Sequence, residues 1–231
     1  MSQPNANEGR QQRFWDTLPA EAQDAFLAVG QPINAKIYDV LALQTDASGD
    51  ILLIRSGLVK AIARAGQQKV LLSVHGAGAL LGVTAYLAGR PTLAAVVAVE
   101  PTEAVRIGRA EFGAWLAQFP RIQADFHRAI AVRQLAGDET RIATASLSVS
   151  ERLARLLLKV MEEPDDGSVD GRRTAVRLSQ AELASCIGAS LRSVTRSMAS
   201  WRRRQIVIAD ERRSVVVRQP DALRRIAGLG R

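Results

Sequence analysis

The chain has 231 residues, 47% hydrophobic but only 4% aromatic, a composition for one or two domains with aliphatic, closely packed cores and against disorder. No apolar run approaches the ~20 residues of a membrane helix, the N-terminus MSQPNANEGRQQRF has no apolar signal region, and a single Cys excludes an intramolecular disulfide, so the expected location is the cytoplasm. The formal charge of +8 is unevenly spread: residues 172–231 hold 14 Arg against four acids (Glu182, Asp210, Glu211, Asp221), net +10, whereas the first 171 residues hold 17 basic and 19 acidic residues, net −2. A positive field confined to one end of the chain is what a phosphate-binding module requires.

In chain order, residues 1–12 are polar and are expected to lack order. Phe14 to Leu27 reads as a short amphipathic helical element anchored by Phe14, Trp15, Leu18 and Phe26, with Pro19 interrupting it. From Ile33 to about Ile107 the pattern turns to short β-type runs: Val40–Leu43, Ile51–Ile54, Val59–Ala63, Val70–Val74, Ala94–Val99 and Ala104–Ile107. Gly57, Gly66, Gly76 and Gly78 mark turns between them. Many short strands at this spacing point to a jelly-roll or barrel.

Arg109 to Ala143 reads as helical, with Pro120 where the first position of a new helix would fall. Ile122, Phe126, Ile130, Val132 and Ile142 give it an apolar face, though Arg133, Gly137 and Thr140 spoil a strict heptad. Ser148 to Glu163 is a strong helix, opened by the capping-box pair Ser148 and Glu151 and striped by Leu153, Leu156, Leu157 and Val160. The tract EEPDDGSVDGRR is expected to be a solvated acidic loop.

Leu178 to Met198, LSQAELASCIGASLRSVTRSM, carries the chemistry. Ser179 and Glu182 have capping-box spacing, Leu183 and Ile187 share a helical face, and Gly188 tolerates the positive φ of a sharp turn. A second helix begins at Ser190, buries Val194 and Met198, and turns Leu191, Arg192, Thr195 and Arg196 outward. Two strand-like runs follow, Ile206–Ile208 and Ser214–Val217, across a charged turn, and Pro220 to Ala227 gives a last short helix. A helix-turn-helix with such a hairpin is a winged helix, whose second helix presents hydroxyls and guanidiniums to major-groove edges and phosphates. The alternative is an ordinary helical hairpin with a solvated polar face.

This stretch resembles the DNA-binding domain of the cyclic-AMP receptor/FNR (Crp/Fnr) family of bacterial transcription regulators, through Leu178, Ser179, Gln180, Glu182, Leu183, Ala184, Ile187, Gly188, Ser190, Val194 and Arg196. The run IRSGLVKAIARAGQQKVLLSVHGAGALLG resembles the cyclic-nucleotide-binding fold of the same family. The resemblance implies an α+β fold: an N-terminal cyclic-nucleotide-binding-like β jelly-roll (14–118), a long dimerisation helix (119–146), a C-terminal winged helix-turn-helix (147–219) and a tail helix (220–231). It further implies a homodimer on double-stranded DNA with two-fold half-sites, and leaves contact with RNA polymerase open. Arg192 and Arg196 are the candidates for base edges and neighbouring phosphates, with Ser190, Leu191, Ser193 and Thr195 beside them. Ser179, Gln180, Arg202, Arg203 and Arg204 are candidates for the DNA backbone. Family members commonly carry an Arg, Glu pair where this chain has Leu191 and Arg192, so the preferred half-site is expected to differ.

The candidate effector pocket comprises Gly82, Val83, Arg90, Thr92 and Leu93. Relatives that bind cyclic AMP have a Gly-Glu pair for the ribose and an Arg-Ser pair for the phosphate. Here Gly82 precedes Val83, and Arg90-Pro91-Thr92-Leu93 lacks the Arg-Ser step, Arg90 lying two positions early. A cyclic phosphate buried without a guanidinium would cost several kcal/mol, so cyclic AMP is not the expected ligand and the effector is left unidentified. No cofactor or metal is expected: iron–sulfur sensing needs several Cys, Cys186 reads as a small helix residue, and His75 as a turn histidine with no haem to hold. His75 and His127 are too few for a metal-dependent jelly-roll oxygenase, and no phosphate loop or nucleophile elbow is present, so no enzyme is expected. A sensor of another small effector with mainly protein-contact output, and a ligand-independent architectural DNA binder, stand as alternatives.

Overall fold

The computed structural model describes residues 14–163, 174–209 and 214–229; the expectations for residues 1–12, for the acidic loop and for the charged turn of the wing lie wholly or mostly outside them. A short 3-10 turn, Phe14–Thr17, and α1 (Ala20–Val29) flank Pro19. Eight strands follow: β1 (Gln31–Ala35), β2 (Val40–Ala42), β3 (Ile51–Ser56), β4 (Leu58–Ala65), β5 (Gln68–Gly76), β6 (Leu80–Leu81), β7 (Ala95–Ala98) and β8 (Thr102–Ile107), with α2 (Val83–Ala88) between β6 and β7. They form two antiparallel four-stranded sheets, β1-β8-β3-β6 and β2-β7-β4-β5. The expected jelly-roll is present.

Its layers explain the sequence pattern. Ile51, Leu52, Leu53 and Ile54 on β3 are all buried, because the first sheet is covered on both faces. Leu52 and Ile54 face the sandwich interior with Leu41, Val59, Val96 and Ala98. Ile51 and Leu53 face an aromatic cluster of Trp15, Phe26, Phe112, Trp115 and Phe126. Edge-on aromatic pairs fix that cluster, with Phe26 and Trp115 centroids 5.3 Å apart, and the Trp115 indole N–H donates to the Ala22 carbonyl at 2.8 Å. Gly57 joins β3 to β4 at φ +83°, where a Cβ would fall 2.3 Å from the Pro101 carbonyl oxygen, so glycine is required.

The helical region divides at Phe119, which leaves the helical backbone (φ −121°, ψ 72°) before Pro120, whose ring disfavours the helical conformation in the preceding residue. α3 spans Arg109–Gln118, and α4 spans Pro120–Ser146 with Pro120 in its first turn. α4 is divided along its length between a packed and an exposed part. Ile122 and Phe126 are buried in the aromatic cluster and Ile130 packs against it, whereas Val132 and Ile142 are exposed. α5 (Val149–Met161) opens with the capping box of Ser148 and Glu151 and buries Leu153, Ala154, Leu157, Leu158 and Val160. The C-terminal part adds β9 (Ala175–Val176), α6 (Gln180–Cys186), α7 (Leu191–Arg203), β10 (Val207–Ala209), β11 (Val215–Val217) and α8 (Pro220–Ile226), with a three-stranded sheet β10-β11-β9.

The winged helix is not a pendant module. Its core residues share one cluster with Leu58, Leu71, Val74 and Val99 on the outer face of the second sheet. Polar contacts frame this seam. Lys60 Nζ donates to Glu182 Oε1 at 2.5 Å, the Leu71 amide to Ser185 Oγ at 3.1 Å, and the Gly76 amide to Glu163 Oε2 at 2.8 Å.

Candidate nucleic-acid interface

Ser179 caps α6: its Oγ accepts from the Glu182 amide at 3.2 Å, and Glu182 Oε2 accepts the Ser179 amide in return at 2.8 Å. Burial works to raise the Glu182 carboxyl, but the hydrogen bonds from Lys60 and Ser179 outweigh it and hold it below its ordinary value. Gly188 makes the turn at φ +61°, with room for a Cβ but the wrong conformation for one. α7 then starts at its cap Ser190, whose Oγ accepts from the Ser193 amide at 3.2 Å. Val194, Met198 and Trp201 form its buried stripe at i, i+4 and i+7. On the other face Leu191, Arg192, Thr195, Arg196, Arg203 and Arg204 are exposed.

Not every candidate is free to meet a ligand. The Thr195 hydroxyl donates to Gln180 Oε1 at 2.8 Å, tying the two helices together, and the Ser190 and Ser193 hydroxyls bond each other at 2.9 Å. Ser179 is engaged by Glu182, and Arg202 is half-buried while Arg203 and Arg204 are exposed. Arg192 and Arg196 remain the exposed cations of the first two turns. The fold also brings in residues that the sequence pattern does not single out. Ser150, Ser197 and Ser200 line a groove of about 420 Å³ with Arg196, Arg203 and Arg204, beside the N-terminus of α5. The helical spacing of 196, 200 and 203 carries that signal; Ser150 reaches the groove only through tertiary packing.

The wing runs slightly differently from its expected bounds. Ile206 is buried in the connection that follows Gln205 (φ +57°), so the first wing strand begins at Val207, and a third strand, β9, completes the wing. Cys186 is a half-buried helix residue whose thiol burial pushes up to about 11. Alkylation by iodoacetamide at pH 8 should therefore be slow in the folded protein, with about one thiol in a thousand ionised, and fast in urea. Equal rates would show that this part of the fold opens readily.

The effector candidates occupy different environments. Val83 is 6% exposed and belongs to the aromatic cluster, at the start of α2 after Gly82 (φ +89°). Arg90 is exposed and Leu93 is 78% exposed. Thr92 is tied to the β2–β3 connection: its amide donates to Asp46 O, its hydroxyl to Leu43 O, and its carbonyl accepts from the Thr45 amide. Among the described residues no three His, Cys, Asp or Glu gather as for a metal, and no helix is long and apolar enough to cross a membrane. His75 Nε2 bonds Ser73 Oγ at 2.7 Å.

This arrangement of roll and winged helix is matched by two family models in tandem, the cyclic nucleotide-binding domain over residues 34–119 and the Crp-like helix-turn-helix domain over residues 151–226. The chain thus carries a cyclic nucleotide-binding domain followed by a Crp-like helix-turn-helix domain. A relative, the CRP-like cAMP-activated global transcriptional regulator of Mycobacterium tuberculosis, is 23% identical over 198 residues, 85% of this chain and 88% of the relative. Two solved structures are similar in fold. The c-di-GMP responsive global regulator CLP of Xanthomonas campestris has a TM-score of 0.69 at 22% identity, over 86% of this chain and 99% of that one. FixK2 of Bradyrhizobium japonicum has a TM-score of 0.70 at 14% identity, over 88% and 98%.

Proposed function

We propose that this chain is a Crp/Fnr regulator acting in the cytoplasm as a homodimer that binds a two-fold operator through α7, and that cyclic AMP does not control it. The observation that carries the reading is the exposed Arg192 and Arg196 on the face of α7 opposite the buried Val194, Met198 and Trp201. In that geometry the two recognition helices of a dimer enter successive major grooves about one DNA turn apart, and bidentate guanidinium contacts read guanine edges. The roll spans 14–118, the segment 119–146, which contains α4, supplies the dimer contact, and the winged helix and tail follow. Val132, Leu135 and Ile142, exposed on α4 by 45%, 63% and 66%, supply the apolar surface for a second copy. Against cyclic AMP stands Val83, packed among aromatics where cyclic-AMP-binding relatives have a ribose-binding Glu. The mycobacterial relative named as cAMP-activated thus differs from this chain in its proposed control.

The test is selection of bound duplexes from a random pool, with and without cyclic AMP, alongside light scattering. A palindrome enriched without ligand, bound by a species of twice 25.0 kDa, is expected. Enrichment only with cyclic AMP would overturn the account of the pocket. Arg203→Ala should lower the salt dependence of binding, by about 0.9 in the log–log slope for each phosphate no longer neutralised, and leave the selected sequence unchanged. A changed sequence would remove Arg203 from the backbone contacts.

A further inference from the structure

The β4–β5 hairpin is positively charged and carries no acidic residue of its own. Residues 51–99 contain no Asp or Glu, and the hairpin tip presents Arg64 and Lys69 around Ala65, Gly66, Gln67 and Gln68. Arg64 and Lys69 are cross-strand partners, like charges set directly opposite each other. Such a pair destabilises a hairpin unless an anion sits over it. Both residues are exposed, and neither joins an ion pair among the described residues.

Strand alternation fixes where the pair points. Leu58, Lys60, Ile62 and Arg64 lie on one face of β4, and Leu71 and Lys69 oppose Ile62 and Arg64 on β5, the extra residue of the bulge being Leu72. This is the face that docks α6: Lys60 bonds Glu182, and Leu58, Leu71 and Ile62 pack into the winged-helix core. Arg64 and Lys69 are the next pair beyond that contact. Gln68, Lys69 and Val70 border a shallow cleft whose far side includes Ala189 and Leu191, the turn and the first residue of α7. The ion pair Lys60–Glu182 and the Leu71 amide on Ser185 hold the hairpin to α6, so its tip has a fixed place beside the recognition helix.

We propose that the tip of the β4–β5 hairpin is a second DNA-backbone contact, in which Arg64 and Lys69 take phosphate oxygens flanking the groove entered by α7. The inference rests on the DNA-binding reading above. When the N-terminal end of α7 lies in a major groove, the phosphates of the groove edge run past that end. An exposed cationic pair held there meets them without rearrangement. The roll would thus add affinity, without sequence preference, from outside the winged helix.

The experiment is a salt titration of the full chain on its selected duplex, comparing wild type, Arg64→Ala/Lys69→Ala and Arg55→Ala. Arg55 is an exposed cation on β3, in the other sheet, and controls for the loss of a cation elsewhere on the roll. Circular dichroism and melting temperature check that each variant is folded. The double variant should bind at least tenfold more weakly at moderate salt, with a log–log slope lower by about two per protomer and the same preferred sequence. Arg55→Ala should match wild type. An unchanged slope in the double variant, or tighter binding as though a steric block had been trimmed, would overturn the proposal. A wild type that binds no duplex would instead overturn the DNA-binding reading itself.

Discussion

Arg192→Ala combined with Arg196→Ala is expected to abolish sequence-specific binding while leaving the fold intact. Both side chains are exposed on α7 and neither forms an ion pair among the described residues, so their removal leaves no buried group unsatisfied. A bidentate contact to a base contributes ~1–3 kcal/mol of discrimination, so two independent ones contribute about 2–6 kcal/mol per protomer. The measurement is fluorescence anisotropy on the selected duplex and on a scrambled one. Selective loss on the former is expected, and Arg192→Ala alone should relax preference at one base pair. Equal losses on both duplexes would reduce the two arginines to phosphate contacts.

Trp201→Ala should have the largest effect on stability. The indole is 2% exposed, its backbone carbonyl accepts the Ile206 amide at 2.9 Å, and it shares a core with Val194, Met198, Leu153 and Leu157. Truncating a buried Trp costs ~3–5 kcal/mol, a large part of the ~5–15 kcal/mol that holds a domain folded. Urea unfolding followed by circular dichroism should show the loss. Trp15 and Trp115, both in the aromatic cluster of the roll, remain as fluorescent reporters of that part of the chain. A loss below ~1 kcal/mol would mean that the winged helix repacks around the gap.

Much of this architecture is legible in the residues because its determinants are local. The two capping boxes, Ser148 with Glu151 and Ser179 with Glu182, form as their spacing implies, and Gly188 adopts the positive φ that the turn requires. The stripe of Val194 and Met198 is buried and Arg192 and Arg196 are exposed, as helical periodicity dictates. Four elements are not legible, for identifiable reasons, one of them β6, whose two residues exist as a strand only through pairing with β3. β1 contains Pro32, which reads as a breaker but is tolerated because β1 is an edge strand pairing only with β8. α2 has six residues between two left-handed glycines, Gly82 and Gly89, too short to show a period. β9 is two residues long and exists through its pairing with β11. At the site itself, whether a hydroxyl meets DNA or its own helix cannot be decided from spacing. Thr195 turns to Gln180 and Ser190 to Ser193. The docking of the roll on α6 joins residues more than a hundred positions apart, a distance over which no sequence periodicity operates.

Glu182 constrains the order in which this protein can change. Its Oε2 serves the Ser179 amide and hydroxyl, and its Oε1 serves Lys60, itself 8% exposed. A Gln at 182 would still complete a capping box, yet it would strand the Lys60 ammonium without its countercharge, at a cost of about 3–5 kcal/mol. A Met at 60 leaves a carboxylate that Ser179 still satisfies and that water, at 25% side-chain exposure, still reaches. A lineage that alters one codon at a time therefore has a passable route only with position 60 first, and the reverse route crosses a weakened ancestor.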